Sequence, residues 1–130
     1  MKFYICYTDV NRINAIRLDK ALNSLGVQTN FIDRGDASLR MESMQRIMDS
    51  IKSSDGIIIL HSEDMNVSML SQIEITYAQN LHLRSFVVNT ERGKISESIT
   101  FTLSSENVFR DTNMVSAARK IVRAARGGAR

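Results

Sequence analysis

The chain has 130 residues, of which 43% are hydrophobic and 24% are charged, and its formal net charge is +3. This composition is typical of one globular domain with a single core and excludes a disordered or membrane-embedded chain. No apolar run approaches the roughly 18 residues that span a bilayer, and the first residues lack a signal-peptide core, so we expect a cytoplasmic protein without membrane contact. The single cysteine, Cys6, lies in a predicted strand, where we expect a buried apolar side chain rather than a nucleophile.

The hydrophobic pattern predicts strands that alternate with helices. Predicted strands cover residues 2–7, 27–33, 56–60, 85–89 and 107–109, and predicted helices cover about 11–25, 39–52, 68–81 and 114–125. Between 90 and 106 the pattern is weak, although Ile99, Phe101 and Leu103 alternate as in a strand. Helices between successive strands imply right-handed crossovers, so we predict an α/β fold: a flavodoxin-like three-layer sandwich with a parallel five-stranded sheet and helices on both faces. We assign residues 1–126 to one domain and 127–130 to a frayed tail.

Capping residues and apolar spacing predict the helix ends and the buried helix faces. Gly26 is placed to end the first helix in the left-handed conformation, Ser68 is placed to cap the third, and Asp111 or Thr112 to cap the last. The predicted buried faces are Ile13, Ile16, Leu18, Leu22 and Leu25 on the first helix, and Leu70, Ile73, Tyr77 and Leu81 on the third.

Several common chemistries lack their sequence signatures. No glycine-rich dinucleotide fingerprint, P-loop or zinc-type Cys/His spacing occurs, so we expect no metal site. The two histidines, His61 and His82, are 21 positions apart and do not predict an acid/base pair. Carboxylates remain at the predicted carboxyl edge of the sheet, where ligands of such folds bind; they are Asp9, Asp33, Asp36, Glu63, Asp64 and Glu74. A glutamate facing a pocket there fits N-glycosidic cleavage, because a carboxylate stabilises an oxocarbenium ion.

Positive charge is concentrated near the C-terminus. The cations there are Arg110, Arg119, Lys120, Arg123, Arg126 and Arg130, opposed only by Asp111. This cluster fits either a nucleic-acid-binding tail or the solvated outer face of the last helix, with cations near its negative dipole end. Because no aromatic residue is interleaved to stack on bases, we do not expect nucleic acid as a partner.

The segment from Ser62 to Glu74 resembles the TIR domain family. That family has a serine at the end of the third strand, a second serine six residues later and a glutamate six residues beyond, and Ser62, Ser68 and Glu74 keep both intervals. Residues 3–8 resemble the family's first box, with Cys6 in place of a serine, and residues 31–36 and 47–55 resemble its second-box region. The resemblance covers roughly residues 2–89, and the last third matches only in the order of its elements.

The resemblance implies one of two functions. Enzymatic TIR domains cleave the nicotinamide–ribose bond of NAD+ with the glutamate at the position of Glu74; NAD+ is then a substrate, and no cofactor is needed. The product is ADP-ribose or, in stand-alone bacterial members similar to the Thoeris component ThsB, a cyclic ADP-ribose signal in antiviral defence. Other TIR domains are adaptors that self-associate, here through residues 36–40 and the helix faces. Retention of Glu74 favours the enzyme.

The same resemblance implies roles for individual residues. Glu74 would stabilise the ribosyl cation or orient its hydroxyls, and Tyr7 and Thr8 would line the nicotinamide side. Asp33 and Arg34 would lie over the phosphates or the nicotinamide, and a guanidinium suits a pyrophosphate because it donates two parallel hydrogen bonds.

The two serines and Leu70 complete the expected substrate site. Ser62 ends the third strand, and Ser68 would position the helix that carries Glu74. Leu70 stands where many active TIR domains have tryptophan. Loss of one base–aromatic stack costs about 1–3 kcal/mol, which would slow an enzyme without abolishing its activity, and Tyr4 or Tyr7 could substitute.

A second family shares this layout. Nucleoside 2-deoxyribosyltransferase-like proteins carry a nucleophilic glutamate in an E-x-G-Y-A context, and the segment from Glu74 to Ala78 is similar. The D-x-G-T segment that precedes that glutamate is absent here, and the two serines fit the TIR spacing better. Both resemblances imply attack at an N-glycosidic bond with Glu74 at its centre.

Overall fold

The computed structural model describes residues 1–32, 41–90 and 108–127. The strands are β1 (Lys2–Cys6), β2 (Gln28–Asn30), β3 (Gly56–His61), β4 (Arg84–Asn89) and β5 (Val108–Arg110). The helices are α1 (Arg12–Ser24), α2 (Met41–Lys52), α3 (Met69–Asn80) and α4 (Met114–Gly127), and short 3-10 turns at Asp9–Asn11 and Glu63–Val67 lead into α1 and α3. No helix within these described ranges is long and apolar enough to cross a membrane.

The five strands form one parallel sheet in the order β2-β1-β3-β4-β5. This is the flavodoxin-like order, and it confirms the predicted fold class. The edge strands β2 and β5 are shorter than the central β3 and β4, with three residues against six.

The core consists of two apolar layers, one on each face of the sheet. Side chains of β3 alternate between them: Ile58 and Leu60 pack with α1 and α4, whereas Ile57 and Ile59 pack with α2 and α3. Every residue of β3 is buried, which explains why this strand is an unbroken apolar run in the sequence. Neighbouring side chains along a strand therefore pack against different helical layers.

Glycine is required where β3 begins. A Cβ atom on Gly56 would lie 2.8 Å from two ring carbons of Phe3 and 2.9 Å from the carbonyl oxygen of Arg84. The Phe3 ring also packs edge-to-face on Phe86, with centroids 5.4 Å apart, so it has little freedom to move away.

Helices α1 and α3 end in the same hydrogen-bonded motif. After α1, the amide of Val27 donates to the Leu22 carbonyl at 3.0 Å, and Gly26 between them has φ 80°, as predicted. Helix α3 closes in the same way around His82, which has φ 57° and was not expected in this conformation.

Two helices turn a different face to the core than their apolar spacing predicts. On α1, Ile13 is 55% exposed, while Ala15 and Ala21 are buried. On α3, Ile73 is exposed, and the buried residues are Ser71, Glu74, Ile75 and Ala78. Small side chains let a helix approach the sheet closely, so the buried face is set by fit as well as by hydrophobicity. The predicted faces were wrong at these positions, and the difference brings Glu74 inside.

The start of α4 differs from the prediction. Asn113, rather than Asp111 or Thr112, caps the helix, since its Oδ1 accepts two amides of the first turn, each at 3.0 Å. Asp111 instead accepts the Asn113 amide at 2.9 Å and pairs with Lys120 at 2.9 Å. Burial raises the pKa of Asp111, but hydrogen bonds from Ser116 and Asn113 and the charge of Lys120 outweigh it and hold the pKa below its ordinary value of 3.8.

The remaining sequence predictions concern residues at the margins. Helix α4 includes Gly127, which we expected in the tail. Residues 128–130, the predicted start of α2 at Leu39 and the alternating pattern at 99–103 lie outside the described residues.

Candidate active site

The connections that follow β1 and β3 lead toward opposite edges of the sheet. After β1 the chain reaches β2 through α1 on one face, and after β3 it reaches β4 through α3 on the other face. These connections diverge, and in open α/β sheets ligands bind in the crevice that such a divergence leaves at the carboxyl edge. Here Thr8 follows β1 and Ser62 follows β3 at that edge.

Glu74 lies in the second turn of α3 and is fully buried, with 0% of its surface exposed. Its Oε2 accepts a hydrogen bond from the hydroxyl of Tyr4, which is on β1 and is also buried. The two residues are 70 positions apart, so sequence spacing gave no sign of this contact. The bond fixes one carboxylate oxygen of α3 against the first strand of the sheet.

The burial of this carboxyl group is costly unless it is hydrogen-bonded, because an ion removed from water loses its solvation. A hydroxyl that donates to a carboxylate forms a charge-assisted bond, which is stronger than a neutral one. One turn earlier on the same face, the buried Ser71 hydroxyl has no hydrogen-bond partner among the described residues. In N-glycosidic cleavage a carboxylate accepts hydrogen bonds from sugar hydroxyls or stabilises positive charge at the anomeric carbon.

Three polar side chains join the ends of β1 and β3. Asp64 Oδ1 accepts hydrogen bonds from the hydroxyls of Thr8, at 2.8 Å, and Ser62. The two hydroxyl oxygens are 2.9 Å apart, and Ser62 is fully buried. While both hydroxyls donate to Asp64, they offer a ligand only lone pairs. The structure thus brings together two of the expected substrate-binding residues and Asp64, one of the carboxylates that the sequence predicted at this edge.

Asn11 is a buried residue of this edge that the sequence did not single out. Its Nδ2 donates to the carbonyls of Leu60 at 3.3 Å and His61 at 3.4 Å, and its Oδ1 accepts from Thr90 at 3.1 Å. These bonds connect the turn after β1 with the ends of β3 and β4. A polar residue before a helix is typical of a cap, but the Asn11 side chain makes no capping bond, so local sequence could not reveal this role.

Tyr7 lies apart from Glu74. Its ring belongs to the core cluster on the α1/α4 face and stacks on Phe31, with centroids 5.5 Å apart. Its hydroxyl donates to the carbonyl of Ile32 at 2.7 Å. Tyr4, in contrast, belongs to the cluster on the α2/α3 face, with the helix that carries Glu74. The role of Tyr7 beside nicotinamide stays a prediction.

The other expected site residues fall into two groups. Ser68 caps α3 as predicted, because its Oγ accepts the Ser71 amide at 3.2 Å, and Leu70 packs at the edge of the α2/α3 core cluster. Asp33 and Arg34 lie outside the described residues.

Three grooves on the described surface have volumes of about 500–580 Å³, and Glu74 lines none of the three. They are lined by residues of α1, β2, α4 and their flanking turns, and by Lys2 of β1. Among the residues that the structure describes, no group of three Cys, His, Asp or Glu side chains could hold a metal ion.

Together these features define an α/β protein with a buried, hydrogen-bonded carboxylate that contacts β1, one of the two strands at the topological switch point of the sheet. A family model for the TIR domain matches residues 3–120 of the chain. The chain belongs to the TIR domain family. No curated protein sequence matches it significantly.

Solved structures share the fold over nearly the whole chain. The TIR domain of the Toll-related receptor TRR-2 from Hydra magnipapillata has a TM-score of 0.72 at 19% identity, covering 95% of this chain and 97% of that one. The CMP N-glycosidase BcmB from Clostridium botulinum has a TM-score of 0.64 at 19% identity, covering 94% and 99%. A 2-deoxyribosyltransferase from Bacillus psychrosaccharolyticus has a TM-score of 0.69 at 16% identity, covering 88% and 90%. At such identities the likeness shows the fold alone.

Proposed function

We propose that the protein is a TIR-type NAD+ glycohydrolase or cyclase in which Glu74 acts at the nicotinamide–ribose bond. The observation that supports this best is the complete burial of Glu74, with its carboxylate held by the hydroxyl of Tyr4. A glutamate on a helix is usually solvated. If the residue only filled space in the core, an apolar side chain would do so without the free-energy cost of removing a carboxylate from water. Membership in the TIR family supports NAD+ as the substrate, since enzymatic members cleave NAD+ with a glutamate at this position.

The proposed reaction breaks the bond between ribose C1′ and the nicotinamide nitrogen, and the bonding electron pair leaves with nicotinamide. Glu74 stabilises the cationic ribosyl centre or holds its hydroxyls. Water then bonds to C1′ and loses a proton to give ADP-ribose, or an adenine nitrogen of the same molecule bonds there to give a cyclic product. A cyclic product would fit a signalling role of the Thoeris type. Tyr4 would be a positioning residue, because its hydroxyl donates to the Glu74 carboxylate.

The test is incubation of the purified protein with about 1 mM NAD+, the upper end of ordinary KM values, followed by chromatography and mass spectrometry. We expect release of nicotinamide, and loss of this release in Glu74→Gln. Asp49→Asn removes an exposed carboxylate on α2 and should leave the activity unchanged. A product lighter than ADP-ribose by one water would identify a cyclase. Equal release by the wild type and Glu74→Gln would refute the role of Glu74.

Tyr4→Phe provides a finer test of the same site. Loss of a hydrogen bond to a charged group is worth about 1.5–3 kcal/mol, so kcat should fall about 10- to 150-fold. Because the proposed role of the hydroxyl is to hold the carboxylate, we expect KM to change little. A large rise in KM with unchanged kcat would contradict the positioning role.

Cleavage of a nucleotide or nucleoside is a second candidate function. Two proteins that share the fold are named as a CMP N-glycosidase and a 2-deoxyribosyltransferase, and both act at N-glycosidic bonds. Leu70, in place of an aromatic residue, weakens the argument for holding a dinucleotide. Parallel incubations with CMP, and with a 2′-deoxynucleoside plus a free base, separate the candidates. Release of cytosine, or base exchange, with NAD+ left intact would favour this function.

Non-catalytic assembly is a third candidate. Val67 and Met69 are 86% and 75% exposed, and Ile73 lies one turn further along α3, so apolar side chains form an exposed strip next to the site. Such a strip fits contact with a second TIR domain. Light scattering should then show oligomers that Met69→Ser with Ile73→Ser disperses. Oligomers without NAD+ or nucleotide turnover would indicate an adaptor.

A further inference from the structure

Positive charge is concentrated on the outer surface of α1 and α4. Five exposed cations lie there: Arg17, Lys20, Arg119, Arg123 and Arg126. None of the five has a carboxylate partner among the described residues, whereas the neighbouring Lys120 is paired with Asp111. Because these five charges exceed the net charge of +3 for the whole chain, the rest of the molecule is net negative. The protein therefore has a distinctly basic face.

Two grooves follow the seam between α1 and α4. The first, of about 580 Å³, is lined by Arg17 and Lys20 together with the start of α4. The second, also about 580 Å³, is lined by the three arginines of α4 with Leu25 and Val122. Among the residues that the structure describes, no acidic side chain lines either groove, and both linings include aliphatic side chains beside the cations. An aliphatic floor with a cationic rim suits a ligand that is both apolar and anionic.

The arginines of the second groove form a regular row. Arg119, Arg123 and Arg126 follow one another at i, i+4 and i+7, which spans about 10 Å along one side of the helix. The last turn beneath them is held by Arg84, which donates to the carbonyls of Ala124 at 3.0 Å and Ala125 at 2.7 Å. The row is thus presented on a helix end that is tied to the sheet.

We propose that this α1/α4 surface binds an acidic amphipathic helix of a partner protein. Carboxylates at i, i+4 and i+7 of such a helix match the spacing of the arginine row, and its apolar residues would cover Leu25 and Val122. A nucleic acid would satisfy the cations, but no aromatic side chain in the described part of the chain lines the grooves to stack on bases. A phosphate backbone also gains nothing from an aliphatic floor. Glu74 is on the α3 side of the sheet, so this surface is separate from the proposed catalytic site.

The test uses a fluorescent synthetic peptide of about 20 residues, the length of a 30 Å helix, with glutamates at the stated spacing and leucines beside them. Fluorescence anisotropy should show binding to the full chain that weakens as salt increases. Arg119→Glu with Arg123→Glu should weaken binding at least about tenfold, or about 1.4 kcal/mol. Arg46→Glu with Lys52→Glu changes the net charge equally on exposed residues of α2, and we expect less than about a twofold effect.

Four results would overturn the proposal. The peptide fails to bind at the lowest salt concentration, or the α2 control weakens binding as much as the α4 variant does. A peptide with serines in place of the leucines binds equally well, which would remove the role of Leu25 and Val122. A DNA duplex of about 20 base pairs, which neutralises cations without apolar contact, binds more tightly than the peptide.

Discussion

The hydroxyl of Tyr4 should stabilise the fold through its hydrogen bond to Glu74. Tyr4→Phe keeps a ring that is 1% exposed and removes the hydroxyl that donates to the buried carboxylate. Because neither group reaches solvent, water cannot easily replace the lost bond. A hydrogen bond to a charged group contributes about 1.5–3 kcal/mol, and we expect the free energy of unfolding to fall by that amount.

A double-mutant cycle isolates this contact. Glu74→Met keeps the length of the side chain without its charge, and in that background Tyr4→Phe should cost less than about 1 kcal/mol, because both partners are then apolar. Urea unfolding followed by circular dichroism measures all four proteins, with unchanged m-values as the check for two-state behaviour. Tyr7→Phe is the matched control, since its hydroxyl binds the Ile32 carbonyl and its cost should not depend on residue 74. An equal cost of Tyr4→Phe in both backgrounds would refute the reasoning.

Three further predictions concern stability, each measured by urea unfolding. Gly56→Ala should cost about 1–3 kcal/mol because the new Cβ meets atoms at 2.8 and 2.9 Å, whereas Gly127→Ala, with nothing within 4 Å, should be neutral or stabilising; equal losses would contradict the packing argument. Arg84→Met should cost about 1–2 kcal/mol through the two α4 carbonyls it leaves unbound, and an unchanged free energy of unfolding would contradict this. Asp111 should stabilise the fold at pH values above 3.8 and lose this effect as the pH falls through its lower folded pKa, so Asp111→Asn should lower stability at pH 6 and make little difference near pH 2.

The sequence was sufficient for features that depend on neighbouring residues. The apolar run of β3, the cap at Ser68 and the left-handed end at Gly26 each follow from local pattern, and the structure confirms all three. The order of strands and helices also followed, since short connections between alternating elements permit few topologies. The TIR motif then directed attention to Glu74.

Tertiary structure alone decided which groups meet. The partner of Glu74 is on a strand 70 positions away, and Asn11 connects three segments that no local pattern relates. Apolar spacing misplaced the buried face of α3, because close packing against the sheet buries Ser71 and Glu74 in preference to Ile73. Hydrophobic periodicity reflects only how strongly each side chain favours burial. Close packing and the hydrogen bonding of buried polar groups depend on contacts between distant segments, which form only when the chain has folded.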